Sequence, residues 1–420
     1  MGRTRRAACV LADIARSGAN PCTRFRDRDV ARHPELRAVG LPHRRRALLP
    51  VCDVRVWAAL ASLVVTILLS VTATSPSSLA LAGGTPAASA DPLPLPGLRA
   101  QANRLTDMMG QPVQLHGVNR SGTEYACIQG WGIFSGPNDA ASLQAMKLWG
   151  VNAVRVPLNE DCWLGINGAP AAYSGAIYQQ AIRDYVALLN QNSMYAILDL
   201  HWSAPGTAPA TWMAAMPDID HSLDFWSSVA GTFKGNDTVV FEVFNEPYPD
   251  SGQDSAAGWV CWRDGGTCPG VSFQVAGMQA LVNAIRATGA TNIIGLGGLA
   301  WSNALTQWIA YKPTDPLNNL VAAWHVYNFN ACSNVTCYDT YIGPAAAQVP
   351  VLATEVGANN CDQAYLNTVM SWLDARQQGY LAWTWTAWGG DCSGMALISD
   401  YSGTPTAYGQ IYQTHLAALR

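Results

Sequence analysis

The 420-residue chain has little charge: 13% of its residues are Asp, Glu, Lys or Arg, against 49% hydrophobic. That balance excludes a disordered chain and supplies a substantial core, enough for one large or two ordinary domains. Basic residues are scarcer still beyond the N-terminal region. Of 25 basic and 29 acidic residues, positions 1–90 hold 13 and 5, so 91–420 keep 12 and 24, a net of about −12. An acidic body without a basic stripe repels phosphate backbones, which excludes nucleic acid as an expected partner.

Other signals are missing too. No two cysteines stand in the paired CxxC spacing of a zinc site. No GxGxxG turn follows the first strand pattern, against an open dinucleotide-binding sheet. The first strand reads His-Gly-Val, where a binuclear metal site would want His-x-His. No metal and no cofactor are therefore expected. No Ser, Thr or Pro-rich linker interrupts residues 100–420, which predicts one domain large enough for an enzyme with no attached module; a monomer is expected.

The first 90 residues differ from the rest. The apolar run "VWAALASLVVTILLSV" (56–71) follows Arg44, Arg45, Arg46 and Arg55 and precedes small residues ending Ala88-Ser89-Ala90. These are the three parts of a secretory signal, so residues 1–90 are expected to be an N-terminal extension and signal segment, with a secreted domain over 91–420 that keeps no membrane attachment after cleavage. A membrane anchor is the alternative, the run being slightly short of a spanning helix. Cysteine usage agrees with export: eight lie beyond residue 90, an even number.

What recurs is an apolar strand followed by an amphipathic helix. Strand patterns occur at 113–119, 151–157, 194–202, 238–246, 291–298, 320–327, 349–357 and 379–388, with helical patterns between them such as 140–149, 176–192, 272–287 and 362–378. Eight such pairs predict an α/β fold, a single (β/α)8 TIM barrel with elaborated, disulfide-bearing βα loops. Barrel chemistry sits at the C-terminal ends of the strands. Six patterns end there in polar groups: His116 and Asn119, Arg155, His201, Asn245 and Glu246, His325 and Tyr327, and Glu355. Loops that neighbour one another in this layout make Cys127–Cys162 and Cys361–Cys392 plausible bridges, and Cys261–Cys268 and Cys332–Cys337 plausible hairpins within single loops.

Glu246 and Glu355 follow strands that face each other across a closed barrel. Carboxylates about 5 to 5.5 Å apart perform retaining glycoside hydrolysis, in which one attacks the anomeric carbon and the other protonates the leaving oxygen. Glu246 is expected to be the protonated acid and Glu355 the ionised nucleophile, held so by a cation such as Arg155. Asp199, Glu242, Glu124 and Glu160 are further acids. Asp199 and Glu242 alternate with barrel-core positions and are expected to bond Arg or His neighbours. Sixteen Trp against eight Phe is an unusual balance; Trp131, Trp163, Trp202, Trp259, Trp262 and Trp388 are candidate platforms for sugar rings.

"RVP" at 155–157, "LDLHW" at 198–202, "FNEP" at 244–247, "HVY" at 325–327 and "TEVG" at 354–357, in this order, resemble glycoside hydrolase family 5, the cellulase family. The resemblance covers residues 110–400. It implies a clan A barrel with Glu246 as acid/base and Glu355 as nucleophile. It further implies Arg155 against the nucleophile, His201 in the site, Asn245 on the sugar's 2-hydroxyl, the pair His325 and Tyr327, and Trp385 beneath the sugar, with Trp383 or Trp388 as alternatives. The substrate class implied is a β-linked polysaccharide or oligosaccharide, foremost a β-1,4-glucan. The first loop, "NRSGTEYACIQGWGIFSGP" (119–137), and "VGANNC" (356–361) depart from the family pattern, so a β-mannanase, a xylan-active enzyme or an exo-acting β-glycosidase stays open. A non-catalytic carbohydrate-binding barrel is the reading from another class, disfavoured by the intact acids.

Overall fold

The computed structural model describes residues 95–420; the expected signal segment and extension lie outside the described residues. Eight parallel strands form one closed barrel: β1 (His116–Asn119), β2 (Ala153–Asn159), β3 (Tyr195–Trp202), β4 (Val239–Glu242), β5 (Ile294–Gly297), β6 (Leu320–Tyr327), β7 (Val351–Gly357) and β8 (Gly379–Ala382). Pairing of β8 with β1 closes the ring. Strands covered on both faces read as continuous apolar runs, and β2 to β8 are buried along their whole length. The helices outside obey local rules. Asp139 caps Ala140–Trp149 by accepting from the Ser142 amide, and Gly150, at φ 91°, ends it in the left-handed conformation that glycine adopts freely.

The barrel interior is layered. At its lower end a two-stranded hairpin, Leu98–Gln101 with Arg104–Asp107, plugs the opening. Its Leu98 and Leu105 pack with Leu115, Ala153, Tyr195, Ile197, Val240, Val321, Leu352 and Leu381. One period of two residues higher the same strands carry Arg155, Asp199 and Glu242, all fully buried. The alternation of a strand therefore converts an apolar floor into a charged ceiling.

Two irregularities aim the site. Register shifts fall between Ala323 and His325 in β6 and between Ala353 and Val356 in β7. The β7 shift lets both Thr354 and Glu355 reach interior partners, which strict alternation would forbid. Elsewhere the elements are shorter than their patterns. The ladder of β4 ends at Glu242 and that of β8 at Ala382, where the cis Trp383–Thr384 peptide follows. The helical pattern over 272–287 begins with a strand: Gln274–Ala276 pairs with Gly265–Thr267, and the helix is Met278–Ala287. The four disulfides Cys127–Cys162, Cys261–Cys268, Cys332–Cys337 and Cys361–Cys392 all form. The first and last tie neighbouring loops across β1/β2 and β7/β8.

The interior leaves no slack at Gly117. A Cβ there would stand 2.5 Å from the Ala153 carbonyl oxygen and 2.6 Å from Leu381 Cδ2. Gly117→Val is predicted to cost about 1–3 kcal/mol, read as a lower thermal midpoint, whereas an unchanged midpoint would show that the floor can relax.

Candidate active site

Arg155 points up from β2 into the barrel, and each of its nitrogens is engaged. Nε donates to Glu242 at 2.6 Å; Nη1 donates to Asn119 Oδ1 at 3.0 Å and Glu355 Oε1 at 2.8 Å; Nη2 donates to Asn245 Oδ1 at 2.8 Å and lies 3.0 Å from Asp199 Oδ2. Burial alone would lower the guanidinium's pKa, but the charges of Asp199, Glu242 and Glu355 outweigh it and drive it up. Arg155 is thus a permanent cation with three carboxylates arranged around it.

The carboxylates extend the network. Asp199 Oδ2 also lies 2.6 Å from His201 Nδ1. Glu242 Oε1 accepts from the Thr354 hydroxyl at 2.7 Å, and Thr354 lies 3.1 Å from His325 Nε2. Burial would raise the Glu242 carboxyl, but Arg155 and His325 hold it down at about 2. The other ring nitrogen of His325 stands 2.9 Å from Glu246 Oε1 and 3.6 Å from Glu355 Oε2. Burial opposes the imidazolium, but Glu355, Glu242 and Glu246 raise His325 to about 10, so both ring nitrogens donate.

Glu246 and Glu355 receive opposite treatment. Burial, reinforced by the charge of Glu355, raises Glu246 above the ordinary carboxylate range against the pull of the His325 hydrogen bond. Burial would raise Glu355 too, but the charges of His325 and Arg155, that of His201, and the hydrogen bond from Tyr327 hold it below that range. Facing oxygens of the two acids lie within 4.8 Å of one another. The environment thus favours the protonated form of one carboxyl group and the ionised form of the other within a single cleft.

Glu246, His325 and Glu355 also offer three donor atoms in range of one metal ion, and among the described residues they form the one such group. With His325 protonated on both nitrogens, a cation would have to displace a proton and break the bond to Glu246. The set suits proton transfer better than metal ligation.

The structure brings Arg155, His201, Asn245, His325, Tyr327, Asn119 and both glutamates together. Asn119 is wholly buried, its amide spent on the Thr354 and Ala382 carbonyls and its oxygen on Arg155, so it braces the site from below. Two residues are misplaced by the sequence reading. His116 opens β1, at the opposite end from the mouth, and its Nε2 lies 3.4 Å from Asp374 at the C-terminus of the helix Gln363–Asp374. Trp385 lies in the core against Trp149, with ring centroids 4.9 Å apart, because the chain turns after β8. Trp383 stands at the mouth instead, stacked on His201 at 5.7 Å.

The aromatics sort likewise. Trp163, Trp259 and Trp262 are fully buried on helices that follow the strands and are core, whereas Trp131 and Trp388 are about half exposed. Tyr125 gathers Trp131, Trp202 and Trp388 at 5.7, 6.2 and 6.4 Å, and Trp212 stands 6.0 Å from Trp202. Over the other half of the mouth, Tyr248 and Trp301 stack at 5.2 Å and Phe329 stacks on Tyr327 at 5.1 Å. Tyr125, Trp212, Tyr248, Trp301, Phe329 and Thr354 escaped the sequence reading. Position in a loop after a strand was the available signal for Trp212 and Trp301.

The network makes stability depend on pH. His325 titrates near 6.5 when exposed and near 10 here, so its contribution is complete below pH 6.5 and is lost as pH rises through 10. Glu242 moves from 4.5 to about 2, so its contribution is present above pH 4.5 and is lost as pH falls through 2. The thermal midpoint is predicted to fall from pH 6.5 towards 10, and less steeply in His325→Gln; a midpoint that climbs over that range contradicts the assignment.

Residues 106–391 match the profile of the cellulase family, glycosyl hydrolase family 5. A mannan endo-1,4-β-mannosidase of Salipaludibacillus agaradhaerens is 22% identical over 319 residues, 73% of this chain and 87% of its own. Endoglucanase CelA of Streptomyces lividans is 24% identical over 73% of this chain, which spans 58% of that relative's length. Among solved structures, a β-glucanase from Saccharophagus degradans superimposes with a TM-score of 0.60 at 20% identity, over 77% of this chain and 94% of that one; its likeness shows the fold. The chain belongs to the cellulase family, glycosyl hydrolase family 5, and is a glycoside hydrolase.

Proposed function

We propose that the protein is a secreted, retaining endo-β-1,4-glucanase that works as a monomer, with Glu355 as nucleophile and Glu246 as acid/base. One observation carries the reading: two carboxyl groups whose oxygens approach within 4.8 Å in one cleft, with surroundings that raise the pKa of one and lower that of the other. Inverting enzymes need about 6.5–9.5 Å between such groups to admit a water, so the short separation supports double displacement.

In the first step a Glu355 oxygen bonds to the anomeric carbon while the glycosidic C–O bond breaks and Glu246 gives its proton to the departing oxygen. In the second, water adds to the same carbon, its proton passes to the Glu246 carboxylate, and the bond to Glu355 breaks. Arg155 and Tyr327 keep Glu355 ionised and aimed. As Glu355 loses its charge to the sugar, the repulsion that raised Glu246 disappears, so its pKa falls when it must become a base.

Endo action is supported by aromatics on both halves of the mouth: Tyr125, Trp131, Trp202, Trp212 and Trp388 over one, Tyr248 and Trp301 over the other. Sugar faces stack on such rings, so a chain running through the cleft finds platforms on both sides of the scissile bond. A β-1,4-mannan is the second reading, favoured by the mannosidase that aligns over 87% of its own length. Export is supported by the four disulfides and the signal-like sequence of residues 1–90. Among the described residues no helix is long and apolar enough to cross a membrane.

Glu246→Gln is predicted to lower kcat about 10²–10⁴-fold on substrates with poor leaving groups. Glu355→Ala is predicted to abolish turnover while still binding oligosaccharide, and azide should restore it in part as a glycosyl azide of inverted configuration. Near wild-type turnover in either variant refutes the assignment. Reducing-end release from carboxymethyl cellulose, mannan, xylan and mixed-linkage glucan decides the polymer: fastest release from the glucans supports the first reading, and from mannan the second.

A further inference from the structure

The turn that carries Glu246 is clamped to the loop after β3, and the clamp includes a sulfur. Asn245 is fixed from several sides: its main-chain amide donates to the Leu200 carbonyl at 3.0 Å, its carbonyl accepts from the Ser302 hydroxyl at 2.8 Å, and its side-chain oxygen accepts from Arg155 Nη2 at 2.8 Å. A guanidinium only donates, so the side-chain oxygen must face Arg155 and the NH2 must face the other way. There it meets Met213, with Nδ2 3.0 Å from the thioether sulfur. The chain repeats the tie beyond the acid. The Tyr248 hydroxyl donates to the Met213 carbonyl at 3.3 Å, and the Tyr248 amide donates to the Ala215 carbonyl at 2.9 Å. Glu246 lies between these points of attachment.

A thioether is a weak acceptor and an oxidisable one. Among the described methionines, Met146, Met194, Met216, Met278 and Met370 are buried in the core, and Met108 and Met109 are exposed beside the hairpin at the lower end of the barrel. Met213 and Met395 are partly exposed. The Met395 sulfur closes on the backbone of Gly357, where an added Cβ would stand 2.9 Å from it, whereas the Met213 sulfur meets a side chain of the ion network. Hydrogen peroxide converts such a sulfur to the sulfoxide: an S–O bond forms from a sulfur lone pair, the O–O bond breaks, and the departing hydroxide takes the proton of the transferred oxygen and leaves as water. The sulfoxide is larger and polar. An N–H···O bond needs about 2.9 Å between nitrogen and oxygen, so the new oxygen cannot enter a gap of 3.0 Å between nitrogen and sulfur. Asn245 is held in place, so Met213 and the chain tied to it must give.

We propose that Met213 is an oxidation site of this enzyme, at which conversion to the sulfoxide by hydrogen peroxide displaces the Glu246 turn and cuts the rate of hydrolysis. The effect on turnover rests on the two-carboxylate reading above; the site itself rests on the contact with Asn245.

The test exposes the full protein to dilute hydrogen peroxide, follows hydrolysis of whichever polymer it cleaves fastest, and locates added oxygen by peptide mass spectrometry. Activity is expected to fall about 10- to 100-fold, the size of effect that a misplacement of about 1 Å produces, in step with one oxygen on Met213. Met213→Leu keeps an apolar side chain of similar volume with nothing to oxidise, and is expected to hold its own untreated activity through the same exposure. Met395→Leu, and the double variant Met108→Leu with Met109→Leu, should be inactivated as the unmodified enzyme is. Inactivation of Met213→Leu at the unmodified rate, protection by Met395→Leu, or full activity in enzyme whose Met213 carries oxygen overturns the inference. So does inactivation while Met213 stays unoxidised, a result read on the unmodified enzyme without any variant. Glu246→Gln run beside them separates the failures: near wild-type turnover there removes the two-carboxylate reading, and an inactive Glu246→Gln beside a peroxide-insensitive enzyme removes this inference alone.

Discussion

Everything at the barrel mouth depends on one buried cation. Arg155 has no exposure to solvent, and its guanidinium binds acids from β3, β4 and β7, the Asn119 amide at the end of β1 and the Asn245 amide beyond β4. Three carboxylates could not be buried together without it, and it could not be buried without them. An ion cluster of this kind gives little net stability over an apolar core of the same volume, while removal of one member leaves the others uncompensated at a cost of about 3–5 kcal/mol. Its return is geometric: five strand ends are held in one register around a single planar group.

The difference between the two catalytic candidates follows from that arrangement. Glu355 is bonded to the guanidinium and lies near the His325 imidazolium, so the ionised form is favoured despite burial. Glu246 does not touch Arg155; it meets His325 alone and feels the charge of Glu355. Identical side chains thus acquire opposite proton affinities: His325 and Arg155 together lower Glu355, while burial and the charge of Glu355 raise Glu246. Thr354, between His325 and Glu242, orders the imidazole from behind, so the acid/base partner is linked to the Arg155 cluster without direct contact.

Much of this was legible in the sequence because barrel strands carry a simple code. The alternation that buries Ile197 also delivers Asp199 and His201 to the interior, and the same holds for Val240 and Glu242. Loop adjacency in a closed barrel made Cys127–Cys162 and Cys361–Cys392 plausible, and short spacing within one loop did the same for Cys261–Cys268 and Cys332–Cys337; all four form. What was not legible came from breaks in regularity. The register shift in β7 sends Thr354 and Glu355 inward together. The end of β8 at Ala382 puts Trp383 at the mouth and Trp385 in the core. His116 misled because its strand begins where the pattern seemed to be finishing, three residues below Asn119. Buried and exposed tryptophans share one sequence signature, since a short helix after a strand can turn its indole into the core, as Trp163 does, as easily as towards a ligand.

The central claim is that a separation within 4.8 Å and unequal protonation make the two glutamates a double-displacement pair. Stereochemistry reports on this most directly, because two inversions at one carbon restore the starting configuration. Proton NMR of the first products from a β-linked oligosaccharide should show the β-anomer appearing before mutarotation produces the α-anomer. An α-anomer formed first would mean a single displacement by water and would contradict the account.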